Sequence, residues 1–205
     1  LWKYDPATLA WQQRASMTVA KSRHAAATAG GKLYLFGGTS DGGSTVVADL
    51  LRYDPVTDTW AAMQVGPSAR AWSGMVELGG DLYILGGANG VGSNALKDVW
   101  KYKIATNTWV QLADMPNVFS IGGVAVAIGG KIFAAFGSQL YIYDPAKDQW
   151  SLGEPPPTWV TNSAGAAVSG LLYTACGTGN DVAGSTYYNR LQEYDPATNT
   201  WRKLS

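Results

Sequence analysis

A single histidine, His24, and a single cysteine, Cys176, occur in the whole chain. Triad catalysis needs a base beside its nucleophile, and a structural metal site needs several imidazole or thiolate ligands. One copy of each excludes a multi-histidine site, a cysteine-based metal site and an internal disulfide. Glu77, Glu154 and Glu193 form no paired-carboxylate motif, and Gly30-Gly31-Lys32 reads as a hairpin turn, not a phosphate-cradling loop. Catalysis therefore has thin support and no cofactor is expected. Side chains suited to holding a ligand are more plentiful: Trp72 and Tyr187 could stack on a sugar ring or anchor a partner, and Asn180 lies in a loop of small polar residues that can offer hydrogen bonds.

The elements that would position them follow from composition. The 205 residues are 46% hydrophobic, enough for a sizeable core, and 15% charged, with 25 glycines and nine tryptophans. That balance suits many short strands joined by tight turns, so a nearly all-β chain is expected. Fifteen basic residues offset fifteen acidic ones. No global field favours a phosphate backbone or an anionic bilayer, so nucleic-acid and membrane partners are disfavoured.

One phrase recurs five times, at Tyr4–Trp11, Tyr53–Trp60, Tyr102–Trp109, Tyr143–Trp150 and Tyr194–Trp201, with Tyr and Trp always seven residues apart. Between copies stands a second phrase: a small-residue run, a turn, a hydrophobic strand and a closing glycine, as in GGKLYLFGG and GGDLYILGG. Each unit thus holds four strands. From Trp to the next closing glycine the separations are 26, 26, 28 and 27; onward to the following Trp they are 23, 23, 13 and 24. Nearly all the length variation falls between the second and third strands, which marks loops on one face.

Turn chemistry agrees with antiparallel strands. Asp-Pro suits a type I turn in which Asp accepts from a backbone N–H two residues on. The pairs at 30–31, 79–80, 129–130 and 169–170 fit first hairpins that need positive φ. The second glycine pairs, Gly37-Gly38 and Gly86-Gly87, would let backbone segments crowd. The recurring Trp is large enough to fill the wedge between neighbouring sheets, and Cys176, aligned with Phe36, Leu85 and Phe136, is expected in the core.

These linked motifs resemble the kelch family over essentially the whole chain. The departures are Lys103-Ile104 for Asp-Pro, and Gly137-Ser138 and Gly177-Thr178 for Gly-Gly. The resemblance implies an all-β, kelch-type β-propeller. Four complete four-stranded blades are expected at about 15–63, 64–112, 113–153 and 154–205, in a single domain over 1–205, after an N-terminal half-blade at 1–14. An open fragment of a six- or seven-bladed ring, opening mid-repeat without signal peptide or initiator Met, is preferred over a small closed ring with a defective blade. An open fragment would expose the flat face of its last blade.

The resemblance also implies that the loops joining strands two to three share a face with the interblade loops. The long ones are Thr39–Ala48, Ala88–Leu96 and Gly179–Asn189. Aligned first strands place Lys21, Arg70, Ser120 and Val160 at one position, Arg23, Trp72, Gly122 and Asn162 at the next, and His24, Ser73, Gly123 and Ser163 at the third, near the channel mouth. In peptide-binding relatives comparable basic and hydroxyl side chains contact the ligand. The expected function is a non-enzymatic binding or scaffold module for a protein, peptide or glycan. The alternatives are a carbohydrate-active propeller resembling bacterial kelch epimerases that handle sialic acid, and a structural segment whose partner is the missing blades of its own ring. Kelch-like copper oxidases need histidines this chain lacks. The low charge, the Asn/Thr-rich loops and the phrase YDPATNTW look like those of bacterial extracellular or periplasmic kelch proteins, a location favoured over the cytosol.

Overall fold

The computed structural model describes residues 1–43, 45–90, 94–119, 122–181 and 184–204, with backbone alone for 180–181 and 184–186. A two-stranded hairpin, β1 (Trp2–Asp5) and β2 (Ala10–Gln13), comes first. The first blade is β3 (Ala25–Ala29), β4 (Lys32–Phe36), β7 (Leu50–Asp54) and β8 (Thr59–Ala62), with a side hairpin of β5 (Thr39–Ser40) and β6 (Thr45–Val46). The second blade is β9 (Gly74–Leu78), β10 (Asp81–Ala88), β11 (Ala95–Lys103) and β12 (Thr108–Leu112). The third is β13 (Val124–Ile128), β14 (Lys131–Phe136), β15 (Gln139–Asp144) and β16 (Gln149–Leu152). The fourth is β17 (Ala164–Val168), β18 (Leu171–Ala175), β21 (Leu191–Asp195) and β22 (Thr200–Lys203), with a side hairpin of β19 (Thr178–Asp181) and β20 (Gly184–Tyr187). All pairings are antiparallel, as meandering strands joined by short turns require.

Register repeats from blade to blade. An aliphatic residue of the second strand faces the recurring Tyr of the third, as Leu33↔Tyr53, Leu82↔Tyr102, Ile132↔Tyr143 and Leu172↔Tyr194. The next residue along is aromatic in every blade: Tyr34, Tyr83, Phe133 and Tyr173. The first three of these rings press onto the following blade, where Tyr83 meets Tyr143 at 6.3 Å and Phe133 meets Tyr194 at 5.9 Å between centroids. The core therefore lies between sheets, and Trp109, Trp150 and Trp201 pack against its three clusters. Wedge-filling is thus the role of the recurring Trp at these three positions.

The first hairpins turn through positive φ at both central residues, including Ser169 (51°) with Gly170 (81°). Backbone crowding at the second glycine pairs is real: a Cβ on Gly37 would lie 2.2 Å from the Arg70 carbonyl oxygen, and one on Gly86 would lie 2.3 Å from that of Phe119. The next blade begins there, with the Gly38 N–H donating to Arg70 O (2.8 Å) and the Gly87 N–H to Phe119 O (2.6 Å). The Asx turns form as expected, Asp54, Asp144 and Asp195 each accepting from the N–H two residues on.

A second fixed element lies inside the Tyr-to-Trp phrase. The residue five past Tyr is Asp58, Asn107, Asp148 or Asn199, always with left-handed φ. Each accepts the Tyr hydroxyl (2.5–2.7 Å) and a backbone N–H of the segment leading into its own blade, from Ala15, Gln64, Ala113 or Glu154. The Trp Nε1 then donates to the carbonyl of that same segment residue. This latch ties the outer hairpin of every full blade to the chain that feeds its innermost strand.

Cys176 corrects an expectation. It is exposed, not buried, and its φ is 57°. Strand pairing places it level with Gly37 and Gly86, since Cys176 N–H donates to Arg190 O as Gly37 N–H donates to Asp49 O. Alignment on the conspicuous glycine Gly177 shifted the fourth blade by one residue, and one residue exchanges the faces of a strand.

Candidate functional site

Just before β3 and β9 the chain pairs with residues at or just beyond the end of the second strand, through bridges at Ser22↔Thr39 and Ala71↔Ala88. It must then turn sharply to begin β3 at Ala25 or β9 at Gly74. The turning residues are Arg23, Trp72, Gly122 and Asn162, and all four are left-handed, with φ of 60°, 55°, 74° and 51°. Glycine and asparagine reach this region cheaply, whereas a bulky side chain costs about 1–2 kcal/mol there.

The two bulky residues face each other across the boundary between the first and second blades. Arg23 stacks its guanidinium 4.8 Å from the Trp72 ring centroid, and the Trp72 N–H donates to Arg23 O at 2.9 Å. Arg23 also donates to Gly43 O of the second-to-third loop, at 3.4 Å. It remains exposed while Trp72 is half-buried, so the pair presents a cationic plane backed by indole. On the opposite side Asn162 Nδ2 donates to Thr178 Oγ1 (3.0 Å), and Ser163 Oγ donates to Cys176 O (3.3 Å).

Inside this rim opens a cavity of about 190 Å³ lined by Ala25, Ser73, Gly74, Gly123, Ser163 and Gly165 among others. Ser73 Oγ and His24 Nδ1, at equivalent positions of adjacent blades, are buried without a hydrogen-bond partner. Burial, and then the charge of Lys21, hold the His24 imidazole below its ordinary pKa, so it is neutral near pH 7. The residues that lead into β3 and β9 thus include one exposed cation, one half-buried aromatic plane and two buried neutral polar atoms without partners.

The structure separates the remaining candidates from this cluster. Arg70 is fully buried, donating to Asp98 Oδ1 (3.0 Å), Asp98 Oδ2 (2.7 Å) and Gly86 O (3.0 Å). Burial alone would raise the Asp98 pKa, but hydrogen bonds from Arg70 and Trp100 and the Arg70 charge hold it below the usual carboxylate range. Lys21 pairs with Asp49 in the same way one blade earlier. The signal was readable, because Asp49 and Asp98 each stand four residues before the recurring Tyr. Tyr187 lies at the end of β20 and is 86% exposed. The side chain of Asn180 and residue Ser120 lie outside the described residues, as do parts of the three long loops. Among the described residues no group of three or more His, Cys, Asp or Glu could hold a metal ion, and no helix is long and apolar enough to cross a membrane.

Residues 1–137 match the family model described as the KLHDC2/KLHL20/DRC7 Kelch-repeats domain. The chain belongs to the kelch-repeat family. Its fold is that of a solved kelch propeller, "Structure of YjhT", with a TM-score of 0.83 at 17% identity over 96% of this chain and 74% of that one. Identity at that level speaks for the fold alone. No curated protein sequence matches the kelch chain.

Proposed function

We propose that this kelch chain is a non-enzymatic binding module that holds an acidic segment of a protein or peptide at the channel mouth. The observation that carries the reading is the stacked Arg23–Trp72 pair, two bulky side chains kept in left-handed backbone where glycine serves elsewhere. Strain that nothing in the core requires points to display. The exposed guanidinium is matched to a carboxylate, which it can engage by two parallel N–H donors. One face of the indole is already occupied by that guanidinium, which favours an acidic chain crossing the pair over a sugar ring stacked upon it. Ser163, which lines the cavity, and Asn162 beside it add polar atoms next to the path of such a segment.

Binding to arrays of acidic, neutral and basic peptides tests this. Acidic sequences should be retained, and Arg23→Ala or Trp72→Ala should weaken retention at least tenfold with the β-sheet spectrum unchanged. Equal retention of all three classes, or unaltered retention by both variants, refutes the site. A glycan ligand is the second reading, favoured by the 86% exposed ring of Tyr187. It predicts glycan-array binding lost in Tyr187→Ala.

A further inference from the structure

The third blade differs from its neighbours on the ligand face. Its second and third strands join through the tight Gly137-Ser138 turn of the Phe136↔Gln139 hairpin, whereas the other full blades carry the long connections Thr39–Ala48, Ala88–Leu96 and Gly179–Asn189. In the first two blades the returning limb of that connection meets the chain entering the next blade. Val47 O accepts the Arg70 N–H at 3.1 Å, and Leu96 O accepts the Phe119 N–H at 3.0 Å. The turn of the third blade takes over this contact itself: Val160 and Gly137 exchange both backbone hydrogen bonds, at 2.8 and 2.9 Å. No long connection then stands over the boundary between the third and fourth blades.

Trp159 stands in that gap. It precedes Val160 where alanine, Ala20 or Ala69, precedes Lys21 or Arg70. Its neighbours are anchored on both sides, the Thr158 N–H donating to Gln192 Oε1 at 3.1 Å and Val160 being fully buried. The ring comes within 3.9 Å of where a Cβ on Gly137 would stand, yet Trp159 is 47% exposed. Trp60, Trp109, Trp150 and Trp201 commit their indole N–H to a backbone carbonyl, whereas Trp159 Nε1 donates to no described residue. Ser138, Gln139 and Thr158 beside it carry no charge. A large ring fixed by its own backbone loses little freedom on binding, and its surroundings suit an uncharged side chain.

We infer that the acidic segment proposed above leaves the channel mouth across the third blade, and that Trp159 anchors a proline or aliphatic residue of it beside the Gly137-Ser138 turn. The inference rests on the reading of the mouth and adds a second determinant of specificity to it. A segment of a larger protein must continue over the rim, as a small free ligand need not. Among the four full blades the third alone offers a crossing without a long connection. The acidic residue then selects through Arg23, and an apolar residue at a fixed distance along the same segment selects through Trp159.

Fluorescein-labelled peptides serve as probes, each with one Asp-Glu pair in a Gly-Ser background and a single Leu or Pro stepped along either side, titrated with the full chain and read by polarization. Affinity should rise about tenfold at one spacing and in one direction. Trp159→Ala should remove that rise while leaving the unfolding midpoint and the preference for acidic over neutral peptides unchanged, and Trp159→Phe should keep most of it. Lengthening the Gly137-Ser138 turn with a Gly-Ser insertion should also remove the rise, by closing the crossing. A rise equal at every spacing, or one that survives Trp159→Ala or the insertion, overturns the inference. So does a Trp159-dependent retention of neutral glycans in place of any peptide rise, which would make the ring a sugar platform. Arg23→Ala reads the mouth separately: an acidic preference lost in that variant upholds the mouth reading whether or not the exit stands, and a Trp159-dependent rise that needs no acidic pair refutes the mouth and the exit together.

Discussion

Replacing Asn107 by alanine tests whether the latch, and not the Trp alone, fixes the outer strands. Asn107 Oδ1 accepts the Tyr102 hydroxyl at 2.5 Å and the Gln64 N–H at 2.9 Å. Tyr102 is completely buried, so its abandoned hydroxyl costs about 1–2 kcal/mol. The Gln64 N–H is exposed and regains water at a cost of about 0.5 kcal/mol. Alanine at φ 56° adds about 1 kcal/mol that asparagine avoids. Together these reach about 3 kcal/mol, which lowers the midpoint of a domain this size by about 6–12 °C. Asn107→Asp keeps the acceptor and matches Asp58 and Asp148, so it should cost under about 1 kcal/mol. Thermal and urea unfolding read both variants, and Tyr102→Phe closes a double-mutant cycle whose coupling should be about 1 kcal/mol. A wild-type midpoint for Asn107→Ala, equal losses for Ala and Asp, or zero coupling would refute the reasoning.

Gly86→Ala should destabilise the chain by about 3 kcal/mol in urea unfolding, because its Cβ would lie 2.3 Å from Phe119 O and 2.8 Å from Leu96 O in a left-handed backbone. The Cys176 thiol should react with a thiol reagent in native buffer at nearly its denatured-state rate, whereas strong protection would return it to the core. Acid should weaken the latches of the first and third blades: the Tyr53 hydroxyl, with the Ala15 N–H, holds Asp58 below its ordinary value of 3.8, and Tyr143 with Ala113 does the same for Asp148. A folded pKa below the unfolded one gives stability that is complete above the unfolded value and lost as pH falls through the folded one. The double variant Asp58→Asn, Asp148→Asn should therefore flatten the stability curve between about pH 5 and 2, and an unchanged curve would show that these carboxylates do not set it.

Strand number, turn chemistry and the variable connection were legible because each rests on local residue type. Gly30-Gly31 needs no tertiary context to turn, and the 13-residue spacing of the third blade becomes the tight Phe136↔Gln139 hairpin. What local reading missed was register and partnership. Counting from Trp to a glycine placed Cys176 in the core, whereas pairing Leu172 with Tyr194 puts it at the exposed left-handed position. The latch is not local in sequence: the Asp or Asn between Tyr and Trp acts through a backbone N–H more than thirty residues away. Arg70 and Arg23 look alike in sequence. Only the fold shows Asp98 closing over one and solvent over the other.

That last contrast bears on how a repeat acquires a site. Lys21 and Arg70 stand at the same blade position, and each is neutralised by the aspartate of its own third strand. Their charges are spent on holding the strand start in place. Two residues further on, the backbone of all four blades makes the same left-handed turn, so the turn belongs to the fold and not to the side chain occupying it. Gly122 makes it without penalty and Asn162 nearly so. Arg23 and Trp72 make it against a steric cost of about 1–2 kcal/mol each, partly offset by their mutual stacking and the Trp72 N–H bond to Arg23 O. The fold thus presents four equivalent perches around the mouth and the sequence loads two adjacent ones with large, interacting side chains. Glycine would make the same turns without that cost, and the asymmetry among equivalent turns is what supports the proposed ligand position over the boundary between the first two blades.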